Sequence, residues 1–298
     1  MLVLWMTTFL TVIAASFVFS MRTDTLLAQN LVASARAQAV ADAGLQRALY
    51  ELFRPGAELD RWKGDGMPHA WEFGGARLKV VIQDVSGKID LNFASDALLK
   101  GLLKNAGLDD EHSNAMLDAI LDWRDADDLR RANGAEAAEY QAAGLKYKPA
   151  NATFETVDEL QRVLGMTPEL YVKLADALTV DSKQPGINSA VASKKVLMAL
   201  PGVDEAAVDT YIAARQEALA ANLVVPPFPQ AGGFVAGANG SVYSVRAEAL
   251  MPDGAAFIRE AVVKINQGAV RKVAFLSWKD GEATPRLSGE KTPTIDGK

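Results

Sequence analysis

The chain has no cysteine, only two histidines and no excess of basic charge. Without cysteine there is no disulfide framework, no thiolate metal site and no Cys nucleophile. His69 and His112 are too far apart to form a local His-pair motif, which argues against a His-based zinc site and makes each a surface residue by expectation. A formal net charge of −6 and a pI of about 5.1 oppose nonspecific nucleic-acid binding, which needs Lys and Arg to neutralise phosphates. Charge of either sign is missing from Met1 to Met21 (MLVLWMTTFLTVIAASFVFSM), and so are Pro and Gly.

That uncharged run is the first positive signal. At 1.5 Å rise per residue it spans about 30 Å as a helix, the thickness of a bilayer's hydrocarbon core. Helical spacing then continues to Phe53 with one interruption at Gly44, and Arg54-Pro55-Gly56 ends it. The second half would stand about 50 Å beyond the apolar part. Val32, Ala35, Ala39, Ala43, Leu45, Leu49 and Leu52 form a mostly apolar stripe there, with small residues that allow close packing. A signal peptide would have a basic start and a shorter apolar core, and a buried soluble helix would not be apolar all round. A single-span anchor continued as an amphipathic rod fits best. Arg22 follows the span and nothing basic precedes it, so orientation is poorly fixed.

Residues 55–69 are rich in Gly, Pro and charge and read as a loop. Ala70–Ile82 reads as two short strands around Gly74-Gly75, and Lys88–Asn92 alternates again. From Phe93 the pattern is helical: Ala97–Ala106, Glu111–Arg124, Val157–Leu164, Pro168–Ala177, Ala190–Leu200 and Glu205–Leu219, with Asp109, Thr156 and Thr167-Pro168 as start signals. After a Pro/Gly-rich linker at Val224–Gly233, three strands are expected: Val242–Ala249, Ala256–Ile265 and Val270–Trp278, with turns at Met251–Gly254 and Asn266–Gly268. The fold class is α+β. A long first helix packs on an antiparallel sheet, and a large all-helical domain is inserted into the sheet with its ends at adjacent sheet edges. The segments are 1–21 transmembrane, 22–54 amphipathic continuation, 55–92 first part of the sheet domain, 93–222 helical insertion, 223–280 second part of the sheet domain, and 281–298 flexible tail.

Six carboxylates, Asp122, Asp125, Asp127, Asp128, Glu136 and Glu139, lie between Leu121 and Tyr140. Such an oxygen-rich loop suits calcium, which takes roughly 6 to 8 oxygens. The spacing is not that of an EF-hand, and the run reads equally as a solvated acidic face balanced by Arg124, Arg130 and Arg131, so the residues alone leave both open with a slight lean to the solvated face. Paired carboxylates also suggest glycoside hydrolysis, but no aromatic sugar platform accompanies them.

Seven motifs stand in order: Asp84-Val-Ser-Gly-Lys-Ile-Asp-Leu-Asn92, Asp122-Trp-Arg-Asp-Ala-Asp127, Gly134-Ala-Glu136 followed by Tyr140, Tyr147 with Asn151, Glu159-Leu160 with Val163 and Gly165-Met166, Ile187-Asn188, and Leu200-Pro201-Gly202. Together they resemble the type II secretion minor pseudopilin K family over nearly the whole chain. The resemblance implies a non-enzymatic protein of the bacterial inner membrane, single-pass, with its domain in the periplasm. It would cap the pseudopilus tip and initiate assembly with minor pseudopilins I, J and H. It implies calcium in the acidic loop: Asp125, Asp127, Glu136 and Glu139 are the leading ligands by motif position, with Asp122 and Asp128 next. It also implies a basic leader ahead of the apolar run, removed by prepilin peptidase, so an upstream piece is expected.

Two segments, around Leu164-Gly-Met-Thr-Pro168 and Leu200-Pro-Gly-Val-Asp204, look like helix-hairpin-helix motifs, and the alternative reading is a membrane-anchored protein for DNA binding or uptake. Thr167-Pro168 and Asp204-Glu205 replace the second turn glycine and put bulk and acid where a phosphate would approach. No nucleic-acid partner is therefore expected.

Overall fold

The computed structural model describes residues 1–55, 58, 61–221, 223–229, 232–237, 240–266 and 272–281. Leu2–Phe53 is one unbroken helix, α1. Its most apolar part has a mean hydropathy of 2.1 and is wholly exposed. The hydroxyls of Thr7, Thr8, Thr11, Thr23 and Thr25 donate to carbonyls three or four residues back, so none of these polar groups needs water. The helix stops at Arg54, whose ψ of 145° is the extended backbone that the following Pro55 favours.

After α1 come β1 (Asp65–Phe73), β2 (Ala76–Asp84), β3 (Ile89–Asp90), α2 (Asp96–Asn105), α3 (Asp110–Arg124), α4 (Ala137–Ala142), a 3-10 turn (Val157–Arg162), α5 (Pro168–Leu174), β4 (Leu178–Thr179), α6 (Lys194–Met198) and α7 (Glu205–Ala220). Three strands close the fold: β5 (Val242–Leu250), β6 (Ala256–Ile265) and β7 (Val273–Asp280). The main sheet is antiparallel with order β1-β2-β5-β6-β7. Residues 65–69, expected in a loop, belong to β1. Pro68 is tolerated because β1 is an edge strand, and the register shifts between Asp65 and Pro68. Of the expected turn at 266–268 only Asn266 is described, and residues 282–298 of the tail and Gln230 and Ala231 of the linker likewise fall outside the described residues.

Chain segment 85–241 leaves from the end of β2 and returns at the start of β5. These strands are hydrogen-bonded neighbours with Asp84 opposite Tyr243, so the two ends of the insertion meet inside the sheet and not at its edges.

Two hydrophobic cores result. In the first, Val40, Ala41, Leu45, Ala48 and Leu49 of α1 pack on the alternate inward residues Leu78, Val80, Ile82, Val245, Ala247, Ala261 and Val263. Ala35 and Ala39 of the expected stripe are exposed; the buried stripe is phased on Ala37, Val40, Ala41, Gly44, Leu45 and Ala48. Gly44 permits the close approach: a Cβ there would lie 2.7 Å from Leu78 Cδ2 and 3.1 Å from Ala247 Cβ. Arg259 clamps the helix to the sheet. It is 3% exposed, donates from Nε to Asp42 Oδ1 at 2.6 Å, pairs with Asp280 and lies over the rings of Phe257 and Trp278.

The second core is made by the helical insertion and is built of larger side chains, among them Leu98, Leu102, Ile120, Leu160, Leu174, Ile187 and Leu197. Ile89 and Leu91, read with the sheet segment in the sequence, are buried here, and β3 pairs in parallel with β4. The expected caps form: Asp109 accepts from His112 N–H, Thr167 from Leu170 N–H, and Glu159 returns to the backbone of Thr156.

Candidate metal centre

The acidic loop is supported from below by three aromatic rings. Trp123, on the last turn of α3, is 3% exposed and lies 6.0 Å from Phe154 and 6.3 Å from Tyr140 between ring centroids. Tyr140 is fully buried, and its hydroxyl accepts from Leu164 N–H. Trp123 and Tyr140 are thus core residues, as expected. Burying this face fixes the register of α3, which places Asp122 wholly inside at the loop's base.

From Asp125 the backbone is extended and the chain runs as a loop to Glu136, where α4 starts. Burial raises the Asp122 pKa above the ordinary carboxylate range, opposed by the backbone N–H of Arg131, and burial together with Asp127 raises that of Asp125. Glu136 is 6% exposed, and its pKa is pushed to about 7 by burial and then by the charges of Asp122, Asp125, Asp128 and Asp127. Both Glu136 carboxylate oxygens and Asp125 Oδ1 are buried without a hydrogen-bond partner. Such atoms are costly unless something pairs with them.

The remaining acids have partners of their own. Asp127 Oδ1 accepts from Leu129 N–H at 2.9 Å, and Asp128 Oδ1 accepts from Asn151 Nδ2 at 2.8 Å. Glu139 Oε2 accepts from Glu136 N–H at 3.0 Å, which lowers its pKa, and Oε1 lies 3.3 Å from Arg130. Among the described residues no three of these side chains gather as a ready metal shell. The structure therefore brings Asp122, Asp125 and Glu136 into one electrostatic neighbourhood and commits Asp127, Asp128 and Glu139 to loop contacts. The donor set, all hard carboxylate oxygens with three of them orphaned, fits calcium in kind.

Three residues that shape the loop, Asp118, Asn151 and Gly134, were not singled out for this role in the sequence, whereas Arg131 was read there as balancing the acids. Asp118 Oδ2 accepts from Asn133 N–H and Nδ2, both at 3.0 Å. Asn151 has φ 48°, in the left-handed region that Asn tolerates, and reaches Asp127 O at 2.9 Å as well as Asp128. Gly134 abuts Asp122, and Arg131 bridges Asp122 and Asp125. The adjacent Arg130-Arg131 within an acidic run was the available signal.

The other motifs are joints of the insertion. Asp90, fully buried, accepts from Asn92 and Phe93 N–H at one oxygen and from Ser182 Oγ and Lys183 N–H at the other. Asn92 pairs through its amide with both backbone groups of Phe154, at 2.9 and 2.8 Å. Asn188 bonds Ser86 through both backbone and side chain, at 2.8 and 3.2 Å.

Residues 83–183, which hold most of these joints and the whole acidic loop, match the domain described as type II secretion system protein K. Over that stretch the chain resembles the type II secretion system protein K family. It is 37% identical over 91 residues to a protein K of Pectobacterium carotovorum, 30% of this chain and 28% of that one. It is 29% identical over 194 residues to a protein K of Pseudomonas aeruginosa, 59% of this chain and 57% of that one. The aligned stretches thus span between about a quarter and rather more than half of these relatives. The fold matches a chain in the crystal structure of the GspK-GspI-GspJ complex from the enterotoxigenic Escherichia coli type 2 secretion system, with a TM-score of 0.59 and 16% identity. The match covers 88% of this chain and 99% of that one. At that identity the likeness speaks for the fold: a pilin-like long helix, an antiparallel sheet and additional helices.

Within this fold the two hairpin-like segments are helix pairs packed in the second core. Gly165 and Gly202 make the turns at φ 86° and 74°. Thr167 caps α5, and Asp204 Oδ1 accepts from Ala207 N–H at 2.7 Å at the start of α7. A carboxylate already occupies the position where a phosphate would take that N–H, and the DNA-binding alternative is not favoured.

Proposed function

We propose that this chain is a non-enzymatic minor pseudopilin that caps the tip of a type II secretion pseudopilus and initiates its assembly, in support of protein export across the outer membrane. The observation that carries this reading is the division of α1. Residues 1–36 are exposed except for the half-buried Ala33, and the rest is built into the sheet domain. A helix held rigidly at one end and bare for more than half its length is a handle for other helices or for lipid. In this reading the first part of α1 lies in the inner membrane, single-pass, with the folded domain in the periplasm; the apolar run supports the anchor. The small residues beyond it suit lateral packing against like helices. The inserted helical unit adds bulk beside the sheet, which in a tip subunit leaves no seat for a further subunit above.

The partners in this reading are minor pseudopilins I and J, then H, with prepilin peptidase acting on a leader. The fold match to a chain from a GspK-GspI-GspJ complex supports the first two. The acidic loop binds calcium, with Asp122, Asp125 and Glu136 as its inner ligands and Asp127, Asp128 and Glu139 recruited from their loop contacts. Calcium there would neutralise the carboxylates that burial and mutual repulsion leave costly.

Co-expression tests the assembly reading. The chain should co-purify with pseudopilins I and J in detergent, and a monomer in every mixture would overturn it. For the loop, calcium should raise the melting temperature and EGTA should lower it; no shift in either direction would overturn the metal assignment.

A further inference from the structure

The acidic loop carries a cation of its own where two of its carboxylates face one another. Arg131 Nε lies 3.4 Å from Asp122 Oδ1, and a terminal guanidinium nitrogen lies 3.4 Å from Asp125 Oδ2. The Arg131 backbone N–H also donates to both Asp122 oxygens, at 3.3 and 3.2 Å. Asp122 cannot withdraw. Its side chain is wholly buried, and the loop backbone presses on it so closely that a Cβ at Gly134 would come within 2.0 Å of Oδ2. The Arg131 side chain, by contrast, is 43% exposed and open to solvent. Arg130, next along the chain, pairs with Glu139. Beside the bridge, Glu136 is 6% exposed with both oxygens unpartnered, and Asp125 Oδ1 is unpartnered too. The cluster therefore has more buried oxygens seeking a cation than it has internal cations.

We propose that Arg131 is a built-in competitor for calcium. Its guanidinium and a divalent ion are alternative counter-ions of Asp122 and Asp125, and the ion enters as Arg131 swings out to solvent. Arg131 holds Asp122 Oδ1 and Asp125 Oδ2, beside the unpartnered Asp125 Oδ1, so a divalent ion taken by these same carboxylates sits close to the guanidinium and repels it. The inference rests on the calcium reading of the loop. It adds that the affinity is set below what six carboxylates alone would give, and that the position of one side chain reports occupancy.

The test titrates calcium chloride into the full chain in detergent, followed by calorimetry. Arg131→Gln should bind calcium roughly five- to tenfold more tightly than the unaltered chain, the size expected for removing a partly exposed ion pair and one positive charge. Arg131→Lys should fall between, because an ammonium cannot fork across two carboxylates. In the unaltered chain, calcium should speed phenylglyoxal labelling of Arg131, read by peptide mass spectrometry, and this holds even if a variant folds poorly. Equal or weaker binding by Arg131→Gln while the unaltered chain binds, or labelling that calcium leaves unchanged, would overturn the competition and leave the calcium reading standing. No binding heat in any of the three chains would overturn both.

Discussion

The two cores of this molecule are built by opposite means. The core between α1 and the sheet relies on small residues, Ala37, Ala41, Gly44 and Ala48, that bring a helix backbone close to β2 and β5. Its periphery is locked by charge, with Arg259 between Asp42 and Asp280 and the buried Glu51 between Arg47 and Arg54 at 2.6 and 3.0 Å. The core of the helical insertion uses leucines and the Trp123, Tyr140, Phe154 ring cluster, and its buried polar groups serve chain joints, as Asp90 and Asn188 do, or the acidic loop, as Asp122 and Glu136 do. The contrast teaches a division of labour. A small-residue interface fixes where one helix lies, so that its bare end keeps a defined direction. A large-residue core can stand by itself and support a polar loop on its surface. Sequence spacing distinguishes them too, since Gly44 sits inside a helix where its cost is accepted only for close approach.

The strongest way to break this comparison is to damage one core and watch the other. Trp123→Ala should cost about 3–5 kcal/mol, as for other buried tryptophans. Hydrogen exchange followed by mass spectrometry should show lost protection across α2, α3, α5 and α7, with β2, β5 and β6 unchanged. Equal loss in both regions would show one cooperative unit.

Gly44→Leu is the reciprocal experiment. Its Cβ alone would meet Leu78 Cδ2 at 2.7 Å, so α1 must shift, and overpacking of this kind costs about 1–3 kcal/mol. Exchange should rise in β2, β5 and the packed half of α1 and stay constant in the insertion. Tolerance of leucine with no change would mean that close approach is not what holds the helix.

These designs depend on features that the sequence disclosed unequally. The length of α1 was legible because nothing between Leu2 and Phe53 except Gly44 opposes a helix. The strand pairs were legible from alternation and turn residues, and the caps Asp109 and Thr167 from residue type. The phase of the buried stripe was not: Ala35, Ala39 and Ala43 have the same spacing as Ala37, Ala41 and Leu45, and only the sheet decides which row is covered. Residues 65–69 were read as a loop because Gly64, Gly66 and Pro68 signal one, and the edge position overrode them. Short elements such as α4 and β4 have too few residues to show a period. At the site, the acidic residues were visible as a cluster. Their sorting was not, because a one-dimensional count cannot show that Asp128 is held by Asn151 while Glu136 is left without a partner.

The two histidines sharpen the comparison from within, one beside each core. His69 stacks on Trp62 at 4.7 Å, and burial lowers its pKa below the ordinary 6.5, partly opposed by Asp65 and Glu51. Its folded form prefers the neutral ring, so its contribution is complete above 6.5 and is lost as pH falls from there through the folded pKa. His112 is exposed, and its pKa is raised by the hydrogen bond its ring makes to the Asp109 carboxylate and then by that residue's charge. Its contribution is complete below 6.5 and is lost as pH rises through the folded pKa. An NMR titration should show the two imidazoles on opposite sides of 6.5. The same order with both on one side would remove the claim that their surroundings differ in kind.

The smallest expected effect on stability comes from the bare half of α1, and it is the most telling for function. Leu27 is 56% exposed and touches neither core. Leu27→Gln should therefore leave stability within about 0.5 kcal/mol, as for a surface position away from caps and cores. If the helix is a handle for neighbouring helices, the same substitution should reduce co-purification with pseudopilins I and J, because a polar group would then be buried without a partner in the assembled bundle. The two readouts separate the halves of α1 directly. Substitutions from Ala37 onward act on the fold, and those before it act on assembly. A loss of stability at Leu27 would place that residue against its own domain and shorten the handle, whereas unchanged stability with unchanged partner capture would leave lipid as the sole neighbour of this stretch.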